Sequence, residues 1–583
     1  MTASSEFEIP RFGREFFGAD QTFTLLGGGE LGGKGAGLYR VKQKVVSQLD
    51  PVEFPEFEVV VPTLTVLGTD LFDAFLAAND LEGVLAAAEP DDRIAHAFQS
   101  GVLPATHLGD LRALIAQVHT PLAVRSSSLL EDDLHHPFAG VYATKMIPNN
   151  QPVVASRFQK FVEAIKFVYA STFFRQARSY LHTVERSAQD EKMAVVVQEI
   201  VGQRFGDRYY PGLSGVARSY NYYPSGHAAP EEGVVNLALG LGKQIVDGGL
   251  CWTYCPAYPQ APPPYNNVGD LLKNSQTEFW AVNMGKPPPP DPIRETEYML
   301  RLPLEAAEQD GALAHQVSSY DPRSDRLRPG LAASGPRVLD FAPLLAMEML
   351  PLNRLIRRLL GLAEQAVGGA VEIEFAVTLN PRHDERRRFG FLQMRPMMVS
   401  NREVAVDPQE MSAPNVLLAS EAALGNGSRL DIQDVVFVKP ETFEAKFTRS
   451  IAAELERINW PLAEAGRPYL LIGFGRWGSS DPWLGIPVEW GQVSGARVIV
   501  ESSLPGMNPD LSQGSHFFHN LISFQVLYLS TKHQSRYPVD WEWLHRQQTV
   551  SEATYVKHVR TAAPLAIKVD GRHGRGVIQH GNG

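Results

Sequence analysis

The chain has 583 residues, 44% of them hydrophobic and 20% charged, which is too long for one core and points to two to four soluble globular domains. A formal net charge of −11 argues against a general nucleic-acid binder, because neutralising phosphates needs an excess of lysine and arginine. Two cysteines, Cys251 and Cys255, are too few for a disulfide scaffold and do not form a CxxC zinc pair.

The opening stretch MTASSEFEIPRFGREFF lacks a basic segment followed by an apolar run, and no window approaches a membrane span. The expectation is a cytoplasmic protein with no signal peptide and no membrane partner. The basic run Arg386, Arg387 and Arg388 follows Asp384 and Glu385, so it reads as a solvated turn rather than a phosphate-binding stripe.

In chain order, the segment from Phe23 to Val61 opens with LLGGGELGGKGAGLYRVKQKV and passes into a helical pattern with Leu38 and Val41 on one side. PLAVRSSS (121–128) predicts a strand running into a polar loop, FQKFVEAIKFVYASTFFRQARSYL (158–181) a long buried helix, and KMAVVVQEIV (192–201) a buried strand. Two proline-rich pieces, PAYPQAPPPY (256–265) and KPPPPDP (286–292), flank an excursion expected to be irregular, since proline is excluded from the interior of regular elements. Residues 340–369 return to helix, and VEIEFAV (371–377) with FGFLQMRPM (389–397) predicts a hairpin. The domain reading is residues 20–400, a linker at 401–415, a second region at 416–560 and a glycine-rich tail at 561–583 expected to fray. There is no internal repeat.

Three segments carry chemistry. In LGGKGAGL, Gly32 and Gly33 precede Lys34; small residues let a backbone approach phosphates, and the ammonium supplies a point charge. The spacing is not that of a Walker A loop, and glycine turns with a lysine also occur without phosphate. In AVRSSSLLEDDLHHPFAGVYAT (123–144), Arg125 leaves an apolar strand for a hydroxyl-rich loop, followed by Glu131, Asp132 and Asp133. A guanidinium there suits phosphate oxygens; an ordinary charged surface loop is the other reading. In the hairpin, Glu372 and Glu374 share one strand face, as do Gln393 and Arg395. This set is either a pair of exposed cross-strand ion pairs or a magnesium site with an arginine offsetting phosphate charge.

Taken in order, GGKGAGL, VRSSSLLEDDLHHPFAGVYAT, VVVQEIV, SGVARS, LGLGKQIVDG, VEIEFAV and FLQMRPM resemble the N-terminal ATP-grasp module of phosphoenolpyruvate synthase, pyruvate phosphate dikinase and the rifampin phosphotransferases. The resemblance covers roughly residues 20 to 400. It implies an α+β, two-lobed ATP-grasp fold followed by a smaller C-terminal α/β domain, with ATP and Mg²⁺ as cofactors. Lys34 matches the lysine that contacts ATP phosphate and Arg125 the arginine of the VRSS motif. Gly140 and Thr144 fall in the loop covering the phosphates. Gln198 matches the adenine-side glutamine. Glu374, Gln393 and Arg395 match residues holding magnesium and the transferring phosphate, with Glu372 where the family usually has aspartate. By this resemblance one lobe supplies Lys34, Arg125 and the covering loop, and the other supplies Gln198 and the hairpin. Lys243 stands where the family often has glutamate.

The resemblance ends near residue 400. The histidine-bearing GGxTSHxA motif is missing, and the remaining 180 or so residues are too few for a swivelling domain plus a (β/α)₈ barrel. YLLIGFGRWGSSDPWLGIPVEW (469–490) reads either as an anion site around Arg476 or as a tight turn with Trp477 and Trp483 filling a small core. In SQGSHFFHN (512–520), Ser515 and His516 echo the family's phosphorylatable histidine, with His519 three residues on. The implied activity is a dikinase-like ATP-dependent phosphotransferase whose acceptor is His516, a small molecule or a partner protein. A half-enzyme serving a separate histidine domain and a nucleotide sensor are the other classes.

Overall fold

The computed structural model describes residues 8–14, 22–86, 89–131, 140–183, 191–222, 224, 227–261, 268–273, 275–331, 335–381, 386–397, 399, 404–479, 481–505, 507, 517, 521 and 524–580. It is a mixed α+β protein with several sheets. The chain divides into two compact units, the first drawn from 1–219, 234–244 and 250–397, the second from 220–233, 245–249 and 398–583.

In the first unit a five-stranded sheet runs β1 (Phe23–Leu26), β3 (Leu64–Leu67), β6 (Met193–Glu199), β4 (Leu122–Ser128) and β5 (Thr144–Ile147). Strands β1 and β3 are parallel and the other neighbours antiparallel. The near-continuous apolar run of β6 suits its central place, buried on both faces. The single long helix expected over 158–181 is instead two, Val154–Ser171 and Arg175–Thr183, separated by a turn at 172–174; the first buries Phe161, Ile165 and Val168 on one side.

A second, six-stranded sheet of this unit runs β11 (Trp252–Tyr254), β10 (Val234–Ala238), β9 (Leu213–Arg218), β17 (Val371–Val377), β18 (Arg387–Pro396) and β2 (Phe57–Val60). The expected pairing of VEIEFAV with FLQMRP is the antiparallel β17–β18 ladder. Strict alternation puts Val371, Ile373, Phe375 and Val377 into the core with Leu355, Ile356 and Leu359 of the Leu352–Val367 helix. The opposite face of β17 therefore carries Glu372 and Glu374.

The proline-rich excursion is more regular than expected. One four-stranded sheet runs β13 (Met299–Pro303), β12 (Glu278–Asn283), β8 (Arg208–Tyr210) and β7 (Gln203–Phe205). A three-stranded sheet runs β15 (Arg326–Pro329), β14 (Val317–Asp321) and β16 (Arg337–Leu339). The described parts of the proline-rich pieces, 256–261 and 286–292, lie in connections, and the alternating Phe279 and Ala281 of β12 are fully buried.

The second unit is built on one large sheet, ordered β19 (Val416–Ser420), β29 (Arg575–Gln579), β28 (Val556–Asp570), β21 (Asn426–Val438), β22 (Tyr469–Phe474), β25 (Ala496–Ser502), β26 (Leu527–Thr531) and β20 (Ala422–Leu424). Strand β27 (Gln548–Glu552) pairs with β28 off this path. The GFGRWG turn resolves into a small β23 (Arg476–Trp477)–β24 (Gly485–Ile486) pair. Trp477 is fully buried there with Nε1 donating to the Val500 carbonyl at 3.1 Å, whereas Trp483 is 74% exposed and fills no core.

The frayed tail expected at 561–583 is corrected. Its described residues complete β28 and form β29, and Leu565, Ile567, Val569, Val577 and Ile578 are fully buried. Of the glycines that suggested fraying, Gly571 and Gly574 sit at the β28–β29 connection and Gly576 inside β29, so close to Leu529 that a Cβ would fall 2.7 Å from its side chain; Gly581 and Gly583 lie outside the described residues. The C-terminal fold consequently runs past 560, and the 401–415 segment read as a linker contains the helical turn Glu410–Ser412. Among the described residues no helix is long and apolar enough to cross a membrane.

Deleting residues 561–583 removes five fully buried aliphatic side chains, each worth about 1.5–3 kcal/mol of burial, which together are comparable to the whole stability of an ordinary domain. The expected outcome is a second unit without cooperative unfolding that is digested rapidly in limited proteolysis, while the first unit survives.

Candidate functional site

The site of the first unit begins where the Gly32–Lys44 helix packs on β4. Gly32 has φ +70°, and a Cβ on it would lie 1.7 Å from the Ser127 carbonyl oxygen, so glycine is required there. Ser127 Oγ accepts from the Gly35 amide at 3.0 Å and donates to the Leu31 carbonyl at 2.8 Å, fixing the helix start on the strand. Lys34 is thereby held against Ser126 Oγ at 3.4 Å and ion-paired with Glu131. Glu131 in turn accepts from Ser126 Oγ at 3.0 Å and the Ser128 amide at 2.9 Å.

Arg125 and Gln198 share one face of the five-stranded sheet, because Ala123 pairs with Gln198 while Arg125 pairs with Val196 and Thr144. This corrects the expected division, which placed Gln198 with the hairpin: it stands beside Arg125 on a neighbouring strand. Gly140, in a left-handed conformation at φ +66°, leads the chain back to Thr144. Asp132 and Asp133 of the covering loop lie outside the described residues, as do Ser480, Ser515, His516 and His519.

The hairpin of the six-stranded sheet supplies the other wall. A β-bulge after Glu374 pairs Phe375 with Phe391 and skips Leu392, freeing its carbonyl from the ladder. That carbonyl accepts from Arg125 Nη1 at 2.5 Å, and Arg125 also reaches Gln393 Oε1 at 3.2 Å, Gln198 Oε1 at 3.4 Å and Glu374 Oε2 at 3.7 Å. Lys34, Arg125, Gln198, Glu374, Gln393 and Arg395 thus come from two sheets and the helix that packs against strands of both, with Arg125 also touching both sheets.

Across three adjacent strands, Arg218 of β9, Glu372 of β17 and Arg395 of β18 lie directly opposite one another. Glu372 Oε2 accepts from Arg218 Nε at 2.6 Å, and its Oε1 is 2.8 Å from Arg395 Nε; Arg395 Nη2 is 2.5 Å from Glu374 Oε1. The expected metal role for Glu372 meets a donor already committed through both oxygens. Among the described residues no group of three or more His, Cys, Asp or Glu side chains gathers as a metal cluster.

Three guanidiniums therefore face two carboxylates, an excess of positive charge suited to polyphosphate. Gln198 Nε2 and Arg218 Nη1 are buried donors without a partner among the described residues, and such groups destabilise a fold unless a ligand satisfies them.

Residues 29–260 match the family model described as pyruvate phosphate dikinase, AMP/ATP-binding domain. The chain carries that AMP/ATP-binding domain. Lys34, Arg125, Gly140, Thr144 and Gln198 lie inside the matched stretch of the domain, while the Glu372–Arg395 hairpin lies beyond it. No curated protein matches the chain.

Sequence reasoning missed Arg218 and the part played by Glu131. The SGVARS stretch offered an arginine within an apolar strand, a costly placement that signals a buried partner; nothing local identifies that partner as Glu372. Lys243, where the family often has glutamate, stands 3.7 Å from Glu295.

Two outcomes follow from this packing. Gly32→Ala should lower the thermal midpoint by several degrees and weaken ATP binding, read by melting curves with and without nucleotide, because the helix start must shift off Ser127. Glu191, just before β6, is buried, and burial, with the Glu131 charge adding, pushes its carboxyl up to about 7. The fold keeps that proton between the ordinary value of 4.5 and about 7 while the unfolded chain loses it, so stability falls as pH rises through this window. Glu191→Gln should flatten that decline, seen as a smaller difference in melting temperature between acidic and alkaline buffers.

Proposed function

We propose that the first unit is an ATP-grasp module that binds ATP between its five- and six-stranded sheets and transfers a phosphoryl group. The observation carrying this reading is the convergence on Arg125 of Gln198 from one sheet and Leu392, Gln393 and Glu374 from the other. A face between two sheets that is rich in guanidinium, amide and carboxylate groups is difficult to reconcile with a core and natural for a nucleotide polyphosphate.

In this reading Lys34 exchanges part of its contact with Glu131 for an ATP phosphate. The orphan amide of Gln198 donates to the base, as the family resemblance implies. Arg125 and Arg395 face the charge that builds on the transferring group, and their planar forks suit two phosphate oxygens at once. Because Arg125 is already hydrogen-bonded to both walls, little reorganisation is required as charge develops. Orientation between fixed walls supplies the rest of the rate.

The oxygen donors fit magnesium in part: Glu374 and Gln393 would hold it, and the ion would neutralise phosphate charge. Glu372 serves instead as the anchor that aligns Arg395. The acceptor is His516, a small substrate or a partner protein. A regulatory nucleotide-binding role is the second reading, favoured by the commitment of Glu372 to two arginines, which thins the metal set.

The test incubates the full chain with magnesium and γ-labelled ATP and follows label transfer and isotope exchange. Glu374→Ala should reduce turnover at least about 100-fold, the scale of removing one preorganised electrostatic contact, with ATP binding and the melting temperature largely kept. Lys34→Ala should weaken ATP binding about tenfold or more. Unchanged turnover in the first variant sinks the site assignment; tight ATP binding with no transfer or exchange in the parent chain favours the regulatory role.

A further inference from the structure

The second unit contains a cavity of about 410 Å³ between the Thr448–Glu464 helix and the β27–β28 edge, lined among others by Glu454, Arg457, Leu462, Arg467, Glu552 and His558. At its floor, His558 of β28 is 4% exposed, and Asp434 of β21 beside it is 3% exposed. Their strands are hydrogen-bonded neighbours with Val436 opposite His558, so Asp434 and His558 share a face and meet diagonally.

Asp434 Oδ1 lies 2.8 Å from His558 Nε2, and Arg467 Nη2 donates to both Asp434 oxygens at 2.6 Å. Burial pushes the Asp434 carboxyl up, but hydrogen bonds from His558 and Arg467 outweigh it and hold the group below its ordinary value, so it is a carboxylate at neutral pH. A carboxylate only accepts, which places the imidazole proton on Nε2. In the neutral ring Nδ1 then keeps its lone pair, and it makes no hydrogen bond among the described residues. This is the arrangement by which a carboxylate orients an imidazole and leaves the other nitrogen for a ligand.

The charges around the cavity are unevenly matched. Glu552 is paired with Lys439 and Lys557. Glu454 accepts from the Tyr555 and Val556 amides at 2.8 and 3.1 Å. Arg467 is paired with Asp434. Arg457, exposed on the helix, forms no ion pair among the described residues and makes only a 3.4 Å contact to its own helix backbone. Counting partners, four cationic side chains face three carboxylates. An ionic triad around a buried carboxylate is weak as a source of stability compared with apolar packing of the same volume, while titratable groups gathered in a cleft mark functional sites.

We propose that this cavity binds a small oxyanion bearing its own O–H group, a hydrogen phosphate or hydroxycarboxylate, with Arg457 and Arg467 gripping the anion and His558 Nδ1 accepting its hydroxyl proton in a hydrogen bond. Two guanidinium forks match either anion, and the apolar Leu462 and Ile458 wall limits the ligand to metabolite size. The site is independent of the nucleotide site in the first unit, and its assignment stands whether or not phosphoryl transfer occurs there.

The test titrates the full chain with inorganic phosphate, with glycolate and with acetate by calorimetry, and follows the ring nitrogens of ¹⁵N-histidine-labelled protein, His558 being assigned by its loss in His558→Gln. Saturable heat with phosphate or glycolate, weaker heat with acetate, and a shift of the His558 Nδ1 resonance are expected; which of the first two binds more tightly identifies the source of the anion. Arg457→Ala, a surface change that leaves the fold intact, should weaken the binding at least tenfold and abolish the His558 shift. Phosphate held only at the nucleotide site would give heat that Arg457→Ala does not alter and no movement of His558. That result, or no binding of either hydroxyl-bearing anion, overturns the proposal.

Discussion

Arg125 is the point on which the first unit turns. Its guanidinium leaves the face of one sheet and is bound by the amide of Gln198 on the same sheet and by a carbonyl, an amide and a carboxylate on another. A rigid, always-charged fork largely enclosed between two sheets has few tolerable positions, because each unmatched N–H is costly where water is mostly excluded. The separation of the sheets, the rotamers of Gln198 and Gln393, and the bulge that releases the Leu392 carbonyl all have to agree with it.

The second wall depends on a line of charges. Arg218, Glu372 and Arg395 stand opposite one another on three neighbouring strands. The outer guanidiniums engage both oxygens of the central carboxylate, which holds Arg395 in place and leaves Glu374 and Gln393 within reach of Arg125. The net positive balance of the cluster suits an anion far better than a free dication. In the second unit the same pattern recurs on a smaller scale, where Asp434 joins Arg467 to His558 under a covering helix.

Much of this was legible from local pattern. The alternation in VEIEFAV separates an apolar face from an acidic one, the run MAVVVQE marks a central strand, and the glycines before Lys34 mark a close backbone approach. Each signal reports a period or a steric need that a few neighbouring residues impose. The tail misled for the same reason: its glycines suit a loose end, while the use of Gly576 beside Leu529 depends on a strand far back in the chain.

The sequence by itself determined which side chains share a face, where the central strands and the hairpin of the first unit form, and that motifs resembling those of the ATP-grasp module stand in family order. Only the tertiary structure decided that β9 neighbours β17, so that Arg218 meets Glu372; that Gln198 stands beside Arg125; and that β29 joins the large sheet of the second unit. Those are pairings between segments distant in the chain. They are selected by burial and charge satisfaction summed over the whole unit, and no local window of residues contains that sum.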